Sequence, residues 1–222
     1  MNRIIPRATV AAAWLAAACG CQNSPSDSAT VRPAGSDDIP AAVSITAQDA
    51  TLGFASLTPR ARVHVESYRI ATHPTTVAQY RACVDAGGCQ LPTAVESCSA
   101  HNDTSPISGP THTIEQGGQM PMTCTTAEQS AQYCRWVGGG LPTIAQWLVA
   151  ARGSEPRAYA WGEEAPGCDK HPWAYGMLVN PTSCCKQEAD CSASQLARVG
   201  AHPNGASKSG LQDVLLAPSE LV

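Results

Sequence analysis

Cysteine is the residue that most constrains how this chain can fold. The 222 residues contain eleven cysteines, a number that would be unusual in the reducing cytosol and that fits an exported protein with disulfide bonds. Two of them, Cys19 and Cys21, follow an apolar run near the N-terminus, which leaves nine for the rest of the chain. Because nine is odd, one of these cysteines stays free, pairs with Cys21 or pairs outside the chain.

The N-terminal residues have the pattern of an export signal. Arg3 and Arg7 form a basic start, and the apolar run 8–18 is too short to cross a bilayer, which needs about 20 residues. Three alanines lead into Cys19, a junction that resembles the lipobox of bacterial lipoproteins, in which the cysteine takes a lipid. Residues 1–18 are therefore predicted to be a lipoprotein signal peptide, with Cys19 as the lipid attachment site. An ordinary cleaved signal peptide is the alternative, and Cys21 is the weaker acceptor.

The predicted mature chain is mildly acidic and held at a membrane. Removal of residues 1–18 leaves 12 basic and 18 acidic residues, a net charge of −6, and no basic patch remains. This balance argues against nucleic acid as a partner. Acylated Cys19 would make membrane lipid the partner. By resemblance to Gram-negative sorting, Gly20 after the cysteine places the protein in the cell envelope, at the outer membrane on its periplasmic side or surface.

The composition changes at about residue 43. Residues 19–42 are rich in Ser, Pro, Ala and Asp with almost no large apolar side chains, so they are predicted to be a flexible tether. Residues 43–222 are predicted to form one domain. Its first part alternates apolar and polar residues, which predicts short strands around residues 43–54 and one longer strand over 63–70.

Three short helices are predicted, at residues 76–86, 126–137 and 144–152. Thr125 with Glu128 is predicted to cap the second helix, and Thr143 with Gln146 the third, in the reciprocal arrangement of a capping box. Glycine follows each helix and ends it. Regular patterning then fades into Gly, Pro, Asn, Ser and Cys, which indicates a fold with few long elements in which disulfides supplement a modest core.

The stretch from Tyr133 to Gly153 resembles the central motif of the formylglycine-generating enzyme (sulfatase-modifying factor) family. Matches in the same order flank it, from about residue 43 to 214, including Tyr159 to Gly162 and Gly210 to Asp213. This resemblance implies an irregular, loop-rich α+β fold that is distantly like a C-type lectin, here incomplete at its C-terminal end. The residues taken as the fold signature are Trp136, Leu141, Pro142, Thr143, Trp147, Arg152, Gly153, Trp161 and Gly162.

The chain departs from the family pattern where the family is charged. Ile144, Gln146 and Leu148 stand where the family has glutamates, and Gly140 where it has arginine. Charged partners that would form a semi-buried network are thus replaced together, and the loss of one alone would strand a buried charge. Ala217 replaces the asparagine of a family segment that helps to hold calcium, although Glu220 aligns with its glutamate. Ala217 offers no side-chain oxygen, so calcium is not expected.

The resemblance implies no catalytic residue for this chain. In the aerobic family enzymes, two cysteines bind copper and activate oxygen, and they lie in a region beyond the part matched here. We therefore expect no cofactor, with copper or calcium only in a completed domain, and a structural or binding module whose partner is an envelope protein or a glycan. The alternative is the N-terminal part of a copper- and oxygen-dependent oxidase that converts a protein cysteine to formylglycine.

Disulfides are the expected role of the remaining cysteines. Cys83 and Cys89 bracket a Gly-Gly turn and form a plausible local pair, and Cys124 with Cys134 is a second candidate pair. The adjacent Cys184 and Cys185 would need separate partners, for which the candidates are Cys168 and Cys191. No metal site is predicted, because Cys168 and His171 lack a second ligand pair at zinc-site spacing and the six histidines are dispersed along the chain.

Overall fold

The computed structural model describes residues 16–17, 20–21, 32–52, 61–92, 111–113, 117–155, 157–164, 198–214 and 220–221. Within them it has seven strands, numbered β1 to β7: Ala16–Ala17, Gly20–Cys21, Ala42–Ile45, Gln48–Leu52, Ala61–Val65, Tyr68–Ala71 and Glu220–Leu221. The α-helices are α1 (Val77–Asp85), α2 (Ala127–Trp136) and α3 (Ile144–Arg152). Short 3-10 turns lie at Ser36–Asp38, Thr111–Thr113, Gly117–Gln119 and Pro203–Gly205. This mixture of helices and small sheets is the α+β class predicted from the sequence.

The described strands form three small sheets. β6 lies between β2 and β3 and is antiparallel to both, β4 pairs with β5 as an antiparallel hairpin, and β1 pairs with β7 in parallel. The single long strand predicted over residues 63–70 is wrong. The first strand, β5, ends before Glu66. β5 and β6 belong to different sheets, because β5 pairs with β4 and β6 pairs with β3.

Capping residues fix where the three helices begin. Thr143 caps α3 and accepts a hydrogen bond from the Gln146 amide at 3.2 Å, as predicted. The predicted cap of α2 is wrong by one residue: Thr126 is the cap and Gln129 reciprocates. The neighbouring Thr125 is instead buried, and its hydroxyl accepts a hydrogen bond from the Ser130 hydroxyl at 2.9 Å. Each cap satisfies backbone N–H groups that the helix itself leaves open, and contributes about 1 kcal/mol.

The buried side chains form two clusters. The first cluster joins the sheets to α3 and includes Ile70, Trp147, Leu148 and Val149. The second cluster joins α1 to α2 and includes Val77, Tyr80, Cys83, Met122, Tyr133 and Cys134. In the second cluster the rings of Tyr80 and Tyr133 stack with centroids 5.8 Å apart. Each helix is only two or three turns long, so its apolar face is small. The buried side chains therefore form two separate clusters.

Residues 32–40, which composition assigns to the tether, pack on the domain. The backbone N–H of Arg32 donates to the carbonyl of Ala86 at the end of α1, and the indole N–H of Trp136 donates to the Arg32 carbonyl at 2.7 Å. The Tyr133 hydroxyl donates to the Asp38 carbonyl at 3.1 Å. These contacts use backbone carbonyls, so a segment whose single large apolar side chain, Ile39, is 40% exposed can still be held. We call residues 32–39 the strap.

A disulfide joins Cys83 to Cys89, with their Cα atoms 5.3 Å apart. The local pair predicted across the Gly-Gly turn is therefore confirmed. Cys124 and Cys134 are also disulfide-bonded, while the suggested bond between those two stays a prediction. Cys19, Cys168, Cys184, Cys185 and Cys191 lie outside the described residues.

None of the helices in the described ranges combines the length and the apolar character that a bilayer crossing requires.

Candidate functional site

The fold signature connects the two buried clusters. Trp136 and Leu141 pack against the second cluster, while Trp147 belongs to the first and Trp161 packs on it. Pro142, which follows Leu141 in the chain, is buried, and Thr143 is the N-cap residue of α3. Tyr159 and Trp161 lie with their rings nearly parallel, 5.2 Å apart, across the turn that ends at Gly162. The signature therefore serves packing and chain direction.

The α3 positions at which the family pattern has charged residues differ in their exposure to solvent. Leu148 is 8% exposed and lies in the first cluster, whereas Ile144 is 62% exposed at the start of the helix. The side chain of Gln146 accepts a hydrogen bond from the Thr143 amide, as part of the capping box at the start of α3. Arg152, which the family also has, is buried, and burial lowers the pKa of its guanidinium. An apolar side chain at position 148 thus fills space in the core where the family pattern places a carboxylate.

A polar site that the sequence did not predict forms where three distant segments meet. Thr72 and His73 follow β6, Gly200 and His202 come from the segment after residue 197, and Asp213 ends the Gly210–Asp213 motif. The Gln212 amide donates to the Thr72 carbonyl at 2.8 Å, and the Gly200 amide donates to Oδ2 of Asp213 at 2.6 Å. Nδ1 of His73 lies 2.8 Å from the Thr72 hydroxyl. We call Thr72, His73, Gly200, His202 and Asp213 the loop cluster.

The backbone at the loop cluster depends on particular residue types. Asp213 has a φ of 58°, in the left-handed region that Asp tolerates better than most residues. Gly200 has a φ of 74°, and a Cβ there would lie 3.1 Å from Nε2 of His73. Only glycine allows the imidazole to approach this closely without strain. The two positive-φ residues face each other through the hydrogen bond of Gly200 to Asp213.

Burial raises the pKa of the Asp213 carboxyl above its usual value. The Gly200 N–H and the nearby His73 and His202 act in the opposite direction. A carboxyl in this environment can hold a proton or accept hydrogen bonds from a polar ligand. No group of three or more His, Cys, Asp or Glu side chains placed to hold a metal ion occurs within the described part of the chain.

The described cysteines of the domain do not fit a copper centre. Copper in its reduced state selects soft thiolate ligands, and a cysteine in a disulfide has no thiolate to offer. Cys83, Cys89, Cys124 and Cys134 are all disulfide-bonded. Ala217 of the calcium segment lies outside the described residues, whereas Glu220 lies in β7.

Residues 27–215 match the sequence model of the sulfatase-modifying factor enzyme 1-like domain. The chain belongs to this family. The resemblance predicted from the motif around Leu141 to Thr143 is therefore confirmed, and the match begins before residue 32, so it includes the strap.

Two relatives show how much of a family protein is present. A stretch of 166 residues is 27% identical to hercynine oxygenase of Mycolicibacterium smegmatis, and it covers 69% of this chain and 36% of that protein. A stretch of 63 residues is 40% identical to the formylglycine-generating enzyme of Mycobacterium tuberculosis, and it covers 28% of this chain and 18% of that protein. The chain spans well under half the length of the curated relatives it matches.

Substitution of Asp213 tests the loop cluster. Asp213→Asn keeps an oxygen for the Gly200 amide and a side chain that tolerates positive φ, but it removes the ionisable carboxyl. A raised folded-state pKa gives stability that is present below the unfolded value of 3.8 and is lost as the pH rises through the folded value. We therefore expect the stability of Asp213→Asn relative to wild type to be more favourable at pH 7 than at pH 3.5 in urea unfolding.

Asp213→Ala is the matched comparison. It loses the hydrogen bond at Gly200 and puts a less tolerant residue at positive φ, so it should cost about 1–2 kcal/mol at pH 7. If the stability of Asp213→Asn relative to wild type is the same at both pH values, the carboxyl does not have the role given to it here.

Proposed function

We propose that this chain is a membrane-anchored envelope lipoprotein whose sulfatase-modifying-factor-type domain acts as a binding or structural module. The observation that carries the proposal is the state of four cysteines of the domain: Cys83, Cys89, Cys124 and Cys134 are all in disulfides. Thiolate is the form of cysteine that ligates metals and attacks substrates. These four cysteines therefore stabilise the domain and offer no thiolate.

The environment of α3 supports the same proposal. Leu148 and Ile144 replace the glutamates of the family motif, and Leu148 packs in the first cluster. A helix that packs an apolar side chain in the core, where the family pattern has a charged one, is suited to holding the fold together. The loop cluster offers the polar groups that remain, a hydroxyl, two imidazoles and a carboxyl. These groups suit hydrogen bonding to the hydroxyls of a glycan or to polar groups of an envelope protein.

A second candidate function follows from the names of the relatives. A hercynine oxygenase and a formylglycine-generating enzyme are both matched by this chain. The chain would then be part of an oxygen-dependent enzyme, with formation of formylglycine from a protein cysteine as the reaction. Its oxidative chemistry would depend on a copper centre to which Cys83, Cys89, Cys124 and Cys134 contribute no thiolate.

An activity assay separates the two candidates. The purified full chain would be incubated with copper, oxygen and a cysteine-containing sulfatase peptide, with the Mycobacterium tuberculosis enzyme as the positive control. We expect no aldehyde on the peptide by mass spectrometry and no oxygen uptake above that of copper with the peptide alone. Aldehyde formation that requires this chain would overturn the module and establish the enzyme.

The anchor is tested by mass spectrometry of the N-terminal peptide after expression in a Gram-negative host. We expect a diacylglycerol on Cys19, its loss in Cys19→Ser, and its retention in the matched variant Cys21→Ser. An unmodified wild-type N-terminus, or acylation that survives Cys19→Ser, would contradict the lipid anchor while leaving the assignment of the domain intact.

A further inference from the structure

The first residues of the predicted mature chain pair with the β2-β6-β3 sheet. β2 is antiparallel to β6, with Gly20 opposite Ile70 and Cys21 opposite Arg69. Signal cleavage before Cys19 would remove β1 and leave β2 in the chain. The chain is therefore held to the domain one residue after the proposed lipid attachment site. The position of β2 along β6 then decides which part of the domain lies nearest to the lipid.

The loop cluster is the part of the domain that follows this point. Because β2 and β6 are antiparallel, Gly20 lies toward the C-terminal end of β6, and Thr72 and His73 come directly after that end. Opposite Cα atoms in an antiparallel pair are about 5 Å apart, and each residue along a strand adds about 3.4 Å. Cys19 is one peptide unit before Gly20. The lipid attachment site would therefore lie within about 12 Å of Thr72.

The segment that completes the loop cluster carries charge that complements phosphate. Residues 198–214 contain two cations, Arg198 and Lys208, and both are exposed. The carboxyl of the same segment, Asp213, is half-buried and accepts a hydrogen bond from the Gly200 amide. Although the chain as a whole is acidic, this segment therefore presents positive charge to solvent beside the place where the anchor joins the domain.

We propose that the loop cluster faces the membrane and that residues 198–214 rest on phospholipid headgroups, with Arg198 and Lys208 at the lipid phosphates. The inference depends on the proposed acylation of Cys19, and it makes the lipid surface the partner of the loop cluster in place of a glycan or an envelope protein. Guanidinium and ammonium groups both bind phosphate. Each contributes about fivefold to binding at an anionic surface. The acyl chains supply the attachment, and the two cations orient the domain on it.

Accessibility of the histidines on a bilayer tests this orientation. The acylated full chain would be bound to vesicles of phosphatidylethanolamine and phosphatidylglycerol and treated with diethyl pyrocarbonate, which modifies accessible imidazoles. Peptide mass spectrometry gives the modification rates of His73 and His202, both in the loop cluster. Each rate is divided by that of His64, which is exposed on the β4–β5 hairpin. Headgroups that cover the loop cluster would slow the first two histidines and not the third.

Two positions for one flexible spacer distinguish fastening at β2 from a tether. A Gly-Ser spacer of about ten residues, inserted directly after Cys19 and beginning with glycine, keeps the residue that follows the lipid and separates β2 from the anchor. The same spacer inserted after Cys21 lengthens only the chain beyond β2. We expect the relative rates of His73 and His202 to rise by about threefold or more with the first spacer, because a longer linker dilutes the domain at the surface. The second spacer should leave them unchanged.

The double variant Arg198→Gln/Lys208→Gln tests the headgroup contact itself. We expect it to raise the relative rates of the two loop-cluster histidines as the first spacer does. Arg62→Gln/Arg81→Gln is the matched control, because it removes two exposed cations from β5 and α1 and should change nothing.

The outcomes separate this inference from the anchor on which it depends. Equal rates for the two spacers, with Cys19 acylated, would overturn the inference and leave the lipid anchor standing. An equal effect of the two charge variants would overturn the contact of Arg198 and Lys208 with phosphate. An unmodified Cys19 in the mass spectrum would overturn the anchor and this inference together.

Discussion

Tyr133→Ala is expected to destabilise the protein by about 3–5 kcal/mol, the range for truncation of a fully buried aromatic side chain. The ring of Tyr133 is fully buried, stacks on Tyr80 and lies 6.1 Å from the ring of Trp136. Its removal leaves a cavity between α1 and α2, because the ring stacks on Tyr80 of α1. It also removes the hydrogen bond to the strap at Asp38.

Tyr133→Phe separates the two contributions. It keeps the ring and removes only the hydroxyl, so we expect a loss of about 1 kcal/mol. Urea unfolding followed by tryptophan fluorescence, with disulfides intact, measures both variants. A loss below about 1.5 kcal/mol for Tyr133→Ala would mean that the second cluster repacks around the gap, which well-packed cores do only partially. In that case Tyr133 would not be the centre of the second cluster.

Leu148→Glu restores the residue type of the family motif and is expected to cost about 1–4 kcal/mol. Leu148 is 8% exposed in the first cluster, so a carboxylate there loses its hydration. Arg152 lies one helical turn onward, at a spacing that allows an ion pair. Replacement of apolar packing by a buried ion pair is nonetheless unfavourable as a rule, because the desolvation of two charges exceeds their attraction.

Ile144→Glu is the matched control for that substitution. It also restores a family glutamate on α3, but position 144 is 62% exposed and lies in the first helical turn. A negative charge near a helix N-terminus is favourable by about 0.3–1 kcal/mol. We therefore expect no loss, or a small gain, in the free energy of unfolding. If Leu148→Glu were as stable as Ile144→Glu, the first cluster would already accommodate the charge, and the argument from α3 for a packing role would fail.

The helices show what local sequence can determine. The bounds of α3 follow from Thr143, Gln146 and Gly153, which lie within ten residues of each other and interact with the helix backbone. The start of α2 was predicted one residue early, because Thr125 and Thr126 are both suitable caps and are each followed three residues later by a suitable partner. Burial of Thr125 against Ser130 decides between them. Local sequence offers no means of predicting that burial.

The loop cluster shows what local sequence cannot determine. His73, Gly200 and Asp213 each look unremarkable in the chain, and the first is 140 residues from the last. Their proximity depends on the bond of Gln212 to Thr72 and on the conformation of Gly200. Two sequence features could have pointed to this cluster, the Gly210–Asp213 motif and Gly200. Neither of them identifies the distant residue with which it interacts. The six histidines are dispersed in the sequence, and two of them, His73 and His202, act electrostatically on the Asp213 carboxyl and lower its pKa.

The sequence by itself determined the family, the α+β class, the third helix and the disulfide between Cys83 and Cys89. Each of these depends on residues close together in the chain or on a motif read in order, and short-range geometry limits such segments to few conformations. Only the tertiary structure decided the division of the core into two clusters, the separation of β5 from β6, the loop cluster and the strap. Those features depend on which distant backbone groups pair, and a single hydrogen bond or buried side chain selects among pairings that the local sequence permits equally.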